Sequence, residues 1–189
     1  MLSYSRGPDQ PLWEKTIGQV LDQTVDRWGD CLALVSRHQS KRYTWRELRH
    51  LADCVARGLH ALGIGPGDRV GLWSTNCVEW ILVELGCARA GATLVNVNPA
   101  YRTHDLAFAL RKSRMKVLFL WEHDGRADYV QILEDARRGQ ALPLKHVVLF
   151  GTTAWEEFLR APFNVDVASN PKTLPISSTR PVPRVSPRG

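Results

Sequence analysis

Gly65-Pro66-Gly67-Asp68-Arg69-Val70-Gly71-Leu72-Trp73-Ser74-Thr75-Asn76-Cys77-Val78-Glu79-Trp80, continued by Ala90-Gly91-Ala92-Thr93-Leu94-Val95-Asn96-Val97-Asn98-Pro99-Ala100-Tyr101, decides the fold. A Gly/Pro turn feeds a short apolar run from Arg69 to Trp73. The polar break Ser74-Thr75-Asn76 can cap a helix, and a second apolar run closes at Asn98-Pro99. Strand, helix and strand in that order make a β-α-β unit.

Downstream, Val117 to Trp121 and His146 to Phe150 are apolar on consecutive positions, as are Gly71-Leu72-Trp73 and Leu94-Val95. Such runs suit parallel strands covered on both faces. Helices over about 102–112 and 126–138 fit between them, which predicts a doubly wound α/β layer with a mostly parallel sheet. Upstream, Ile17, Val20, Leu21, Thr24, Val25 and Trp28 mark the buried stripe of a helix over 16–28. Leu32 to Val35 and Arg42-Tyr43 then read as a hairpin across the polar turn 37–41.

Thr44-Trp45-Arg46-Glu47 is a capping box and predicts a helix start. Leu48, Leu51, Ala52, Val55, Leu59 and Leu62 supply its buried stripe, and Gly63 and Gly65 end it. Gly63-Ile64-Gly65-Pro66-Gly67 follows a helix and precedes a strand, the reverse of what a phosphate cradle needs, so it reads as a turn.

The 189 residues, 44% of them hydrophobic, suffice for one domain with a core. The net charge of +6 divides evenly: Lys172, Arg180, Arg184 and Arg188 against Asp166 give +3 to residues 166–189, leaving +3 for the body. With no Lys/Arg run in the body, a solvated surface and no nucleic-acid partner are expected. Residues 166–189 hold prolines at 171, 175, 181, 183 and 187, no aromatic residue and few large apolar ones, which predicts a disordered tail beyond a domain of residues 1–165. Cys31, Cys54, Cys77 and Cys87 form no C-x-x-C pair and lie in or beside apolar segments, which points to small hydrophobes in a reduced, cytoplasmic interior. No secretory leader and no membrane span is expected.

The quoted stretch resembles the N-terminal subdomain of the adenylate-forming acyl-CoA synthetases, nearest the medium-chain fatty acyl-CoA synthetases. That family repeats G-D-R-V, N-x-x-E-W and A-G-x-x-x-V-x-x-N-P-x-Y, matched by Gly67 to Val70, Asn76 to Trp80 and Ala90 to Tyr101. The likeness covers roughly 16–159. It implies a ligase that activates a fatty or other carboxylic acid with ATP to an acyl-adenylate and transfers the acyl group to coenzyme A, with Mg2+ used by the full-length family.

The phosphate-binding loop that the family writes T-S-G-T-T-G-x-P-K-G is not found in this chain. Gly151-Thr152-Thr153 continues into Ala154, Trp155, Glu156 and Glu157, whose carboxylates would repel phosphate, and Pro171-Lys172 lacks a nearby glycine. No catalytic, cofactor-binding or metal residue is therefore assigned, and substrate-binding residues stay open. The six histidines, 38, 50, 60, 104, 123 and 146, lack ligand or triad spacing. Asn98-Pro99-Ala100-Tyr101, at a strand end, is the best local candidate for ligand contact, although a Pro-fixed turn with Tyr101 packed on the core is the preferred reading.

The tail carries one more signal. Shifted by one base, Ser178 to Gly189 can spell Y-T-S-G-T-T-G-F-P-K-G, the family's loop, and Thr173 to Ser177 permits P-A-D-I-Q before it. A frameshift between about 163 and 173 is expected, with an alternative exon or a short isoform as the runner-up. The 189-residue chain should accordingly form no adenylate alone and expose an apolar flank that invites self-association. The rival readings are a non-catalytic interaction module, or half of a split enzyme, and, ranked last, an unrelated nucleotide-binding domain.

Overall fold

The computed structural model describes residue 7, residues 13–139 and residues 141–162; the tail 166–189 lies outside them. The elements run α1 (Ile17–Trp28), β1 (Leu32–Ser36), β2 (Lys41–Thr44), α2 (Trp45–Ala61), β3 (Arg69–Trp73), α3 (Val78–Ala90), β4 (Thr93–Val97), α4 (Thr103–Ser113), β5 (Val117–Leu120), α5 (Tyr129–Arg137), β6 (His146–Leu149) and α6 (Thr153–Leu159). The last four strands form one parallel sheet in the order β4-β3-β5-β6, and β1 pairs antiparallel with β2 as a separate hairpin. This is the expected doubly wound layer.

Alternation along the strands builds a core on each face. Val70, Leu72 and Phe119 meet Leu48, Val55 and Leu59 of α2, Leu82 and Val83 of α3, and Trp155 and Phe158 of α6. Trp73, Leu118 and Leu120 meet Leu106 and Leu110 of α4 and Tyr129 and Leu133 of α5. The central strands are buried from Val70 to Trp73 and from Val117 to Leu120, as consecutive apolar residues require. The outer strands are less covered, with Thr93 and Asn96 of β4 exposed.

Local chemistry sets the helix ends. The Thr44–Glu47 capping box forms in both directions, and Thr16 and Gln19 make a second one that the sequence reading did not single out. In α1, Leu21 and Val25 are buried, but Ile17 and Trp28 stand exposed rather than in the expected stripe. The helix expected from 126 starts at Tyr129, because the Asp124 carboxylate accepts from the amides of Arg126 and Ala127 and holds them in a turn, while Asp128 caps. Helix α6 was not foreseen at all. Of the cysteines, Cys54, Cys77 and Cys87 are buried as expected, whereas Cys31 is exposed.

Two ionic anchors tie the helices and the hairpin together. Arg89 of α3 is 8% exposed; it bonds Asp53 of α2 and, at 3.0 Å, Asp22 of α1. Glu79 of α3, 3% exposed, accepts from Lys41 Nζ at 2.5 Å and Gln39 Nε2 at 2.7 Å. Burial alone would raise the Glu79 pKa; the bonds from Lys41 and Gln39 outweigh it and hold the carboxyl below its ordinary range.

Candidate functional site at the carboxyl edge of the sheet

Open parallel sheets bind ligands beyond the carboxyl ends of their strands. Here that edge is built from Ser74-Thr75-Asn76 after β3, Asn96 to Pro99 at the end of β4, and His38 from the hairpin turn. With Trp80 they line a cleft of about 820 Å³. His38, Asn76 and Trp80 also border a second cleft of about 390 Å³, whose apolar wall is Leu34, Val35, Val78 and Ile81. The trough is thus amide-rich at one end and aliphatic at the other.

Most polar groups along it are already committed. Ser74 Oγ donates to the Thr75 carbonyl at 2.6 Å and lies 3.5 Å from Cys77 Sγ. Burial pushes the Cys77 thiol up despite bonds from Ser74 and Trp121, so it is a poor nucleophile at neutral pH. The expected cap from Ser74, Thr75 or Asn76 does not form: Cys77 is the N-cap residue and makes no side-chain bond. Gln39 Oε1 instead accepts from the Val78 amide at 2.7 Å. The hairpin turn therefore supplies the polar cap of α3 and brings His38 to the trough, where its Nδ1 lies 3.3 Å from Ser36 Oγ.

The candidate loop 98–101 is a closed turn. Asn98 Oδ1 accepts from the Ala100 amide at 2.9 Å, and the Asn98 carbonyl accepts from Trp73 Nε1 at 3.1 Å and from the Tyr101 amide at 3.0 Å. Arg102 Nη1 donates to the carbonyls of Ala100 and Tyr101 at 3.0 and 3.1 Å. Tyr101 is 36% exposed, so it does not pack into the core as expected; the buried anchor is Trp73, which is 0% exposed. Pro99 and the polar side chains of Asn76 and Asn96 remain on the cleft wall.

The two glycine-containing stretches weighed as phosphate loops are both engaged in the fold. Thr152 Oγ1 donates to the Leu149 carbonyl at 2.7 Å and accepts from the Trp155 amide, so Gly151-Thr152-Thr153 is the start of α6 rather than a cradle. Gly63 to Gly67 is a turn between α2 and β3, as read. Among the described residues, no three His, Cys, Asp or Glu side chains gather as a metal site, and no helix is long and apolar enough to cross a membrane.

In this parallel sheet G-D-R-V opens β3, N-x-x-E-W opens α3 and N-P-x-Y follows β4. The AMP-binding enzyme family matches residues 21–186, and the chain belongs to it. It is 38% identical over 134 residues to the mitochondrial medium-chain acyl-CoA ligase ACSF2 of Mus musculus, a match covering 70% of this chain and 22% of that protein. The acyl-CoA ligase SID4 of Ajellomyces capsulatus is 38% identical over 135 residues, covering 71% of this chain and 23% of that one. Among solved structures, the N-terminal domain of FACL13 from Mycobacterium tuberculosis superposes with a TM-score of 0.71 at 28% identity, over 83% of this chain and 38% of that one. The chain thus spans about a fifth of the length of the curated relatives it matches.

Proposed function

We propose that this chain is the N-terminal scaffold of a fatty acid–CoA ligase, which activates a carboxylic acid with ATP and passes the acyl group from the adenylate to coenzyme A. The observation that carries the reading is the family match across residues 21–186. Membership supports ATP, Mg2+ and coenzyme A as what the full-length protein uses. Thr152, the hydroxyl of the Gly-Thr-Thr stretch, is spent on the cap of α6 rather than free for ATP phosphates. On this reading the 189-residue chain forms no adenylate by itself, because transferring AMP to a carboxylate needs phosphate charge to be offset as pyrophosphate leaves. Three buried thiols suit a reducing compartment, and we place the chain in the cytoplasm; the mitochondrial label belongs to the mammalian relatives.

The tail supports a second element of the proposal. Read one base out of register, residues 178–189 can spell Y-T-S-G-T-T-G-F-P-K-G. A one-base shift between about 163 and 173 accounts for both the Pro/Arg-rich composition and the latent loop. Sequencing the coding DNA tests this: the alternate frame should encode the Gly-Thr-Thr-Gly loop followed by a long open continuation, and a frame closed by stop codons would defeat the idea. The rival, a half-enzyme completed by another polypeptide, predicts that the loop begins a separately made chain and that activity appears only on mixing.

A further inference from the structure

The amino edge of the sheet, opposite the trough, carries a row of cations. Arg69, Lys116 and Lys145 stand side by side at the amino ends of β3, β5 and β6. The Lys116 amide bonds the Arg69 carbonyl at 2.9 Å, and the Lys145 amide bonds the Lys116 carbonyl at 2.8 Å. The register agrees: Val70 pairs with Val117 and Val117 with His146, so the three cations occupy one row at about 4.8 Å per strand. Asp68 intervenes. It pairs with Lys116 while Lys145 adds its charge to the same carboxylate, leaving the row net positive.

Alternation along the strands puts these side chains on the face that α4 and α5 cover. The outer surface of α4 presents Phe108, 57% exposed, and Lys112 one turn beyond it. Basic residues at a helix C-terminus are accounted for by the helix dipole, yet Arg69, Lys116 and Lys145 lie at strand starts, where it supplies no reason for them. Nor can the row serve the trough, which is at the other end of the strands.

We propose that this basic amino edge, with Phe108 beside it, is a docking surface for an anionic lipid bilayer. Cations spread along one edge are drawn to lipid phosphates and carboxylates, and an exposed phenyl ring on α4, one helical turn from Lys112, inserts among acyl chains. The ring is what favours lipid over nucleic acid, since one phenylalanine outside the cation row offers no stacking track. The assignment is independent of the ligase reading.

The test is co-sedimentation of the full 189-residue chain with vesicles of phosphatidylcholine alone and with about a third phosphatidylserine, at low and raised salt. Binding should require phosphatidylserine, weaken with salt, and fall about tenfold in Lys112→Glu and in Lys145→Glu. Phe108→Ser should weaken it at either salt concentration. The basic tail is intact in all these proteins, so a loss isolates the sheet edge and the adjoining α4. If circular dichroism shows that a reversal disturbs folding, Lys112→Gln and Lys145→Gln replace it, with a smaller loss expected. Equal binding to both vesicles, phosphatidylserine binding indifferent to these substitutions, or tighter binding to a short DNA duplex would each overturn the proposal.

Discussion

Glu79 shows how a single residue joins sequence to site. Its carboxylate is buried, sits in the first turn of α3 where the helix dipole favours negative charge, and bonds Lys41 and Gln39 of the hairpin. Removing Lys41 leaves that charge with one neutral donor, so Lys41→Met should cost about 2 kcal/mol, read from urea unfolding. The pH dependence has a definite sign. A carboxyl whose folded pKa is depressed stabilises the fold above its unfolded pKa, and that stability is lost as pH falls through the folded value. Wild-type stability should therefore decline in acid below the ordinary carboxylate range, and Glu79→Gln should flatten that decline; an unchanged profile would show that the anchor contributes little. Asn98→Ala, which removes the bond to the Ala100 amide, should cost about 1 kcal/mol. The Glu79 and Asn98 positions were visible as motif residues. The partners of Glu79 were not, because Gln39 and Lys41 reach it only after the hairpin has folded onto α3.

At the scale of elements, periodicity and turn chemistry carried most of the information. The Thr44–Glu47 box, the α2 stripe and the two buried central strands could all be read because each depends on residues within a few positions. What escaped depended on distant contacts: the cap of α3 from Gln39, the exposure of Ile17 and Trp28, and the cation row whose members come from three strands. Helix α6 is hidden for a different reason, since its Gly-Thr-Thr start resembles part of a phosphate loop. The close α2–α3 contact is likewise invisible in sequence. Gly86 lies against Val55 and the Ala52 carbonyl, where a Cβ would have no room. Gly86→Val should destabilise by about 1–3 kcal/mol through overpacking, whereas Thr44→Ala should cost only about 1 kcal/mol. Thermal melts of the two variants check the order.

For the whole molecule, the apolar flank expected from sequence is a proposal that can be placed on β1. Leu32 and Val35 of β1 are 53% and 43% exposed, and Val35 lines the aliphatic end of the trough with Trp80 and Ile81. Such a surface binds hydrophobic dyes and associates with itself. Sedimentation velocity should show concentration-dependent association that Val35→Glu reduces, and a monodisperse monomer that binds no dye would remove this element of the account.

The function itself was legible as a family and not as a site, because the motifs that shape the scaffold lie among the described residues, where the one Gly-Thr-Thr stretch opens α6. Pyrophosphate release by the purified chain, given ATP, Mg2+, a medium-chain fatty acid and coenzyme A, tests that most directly. The account predicts no release above the protein-free control, and sustained turnover by the chain alone would contradict it.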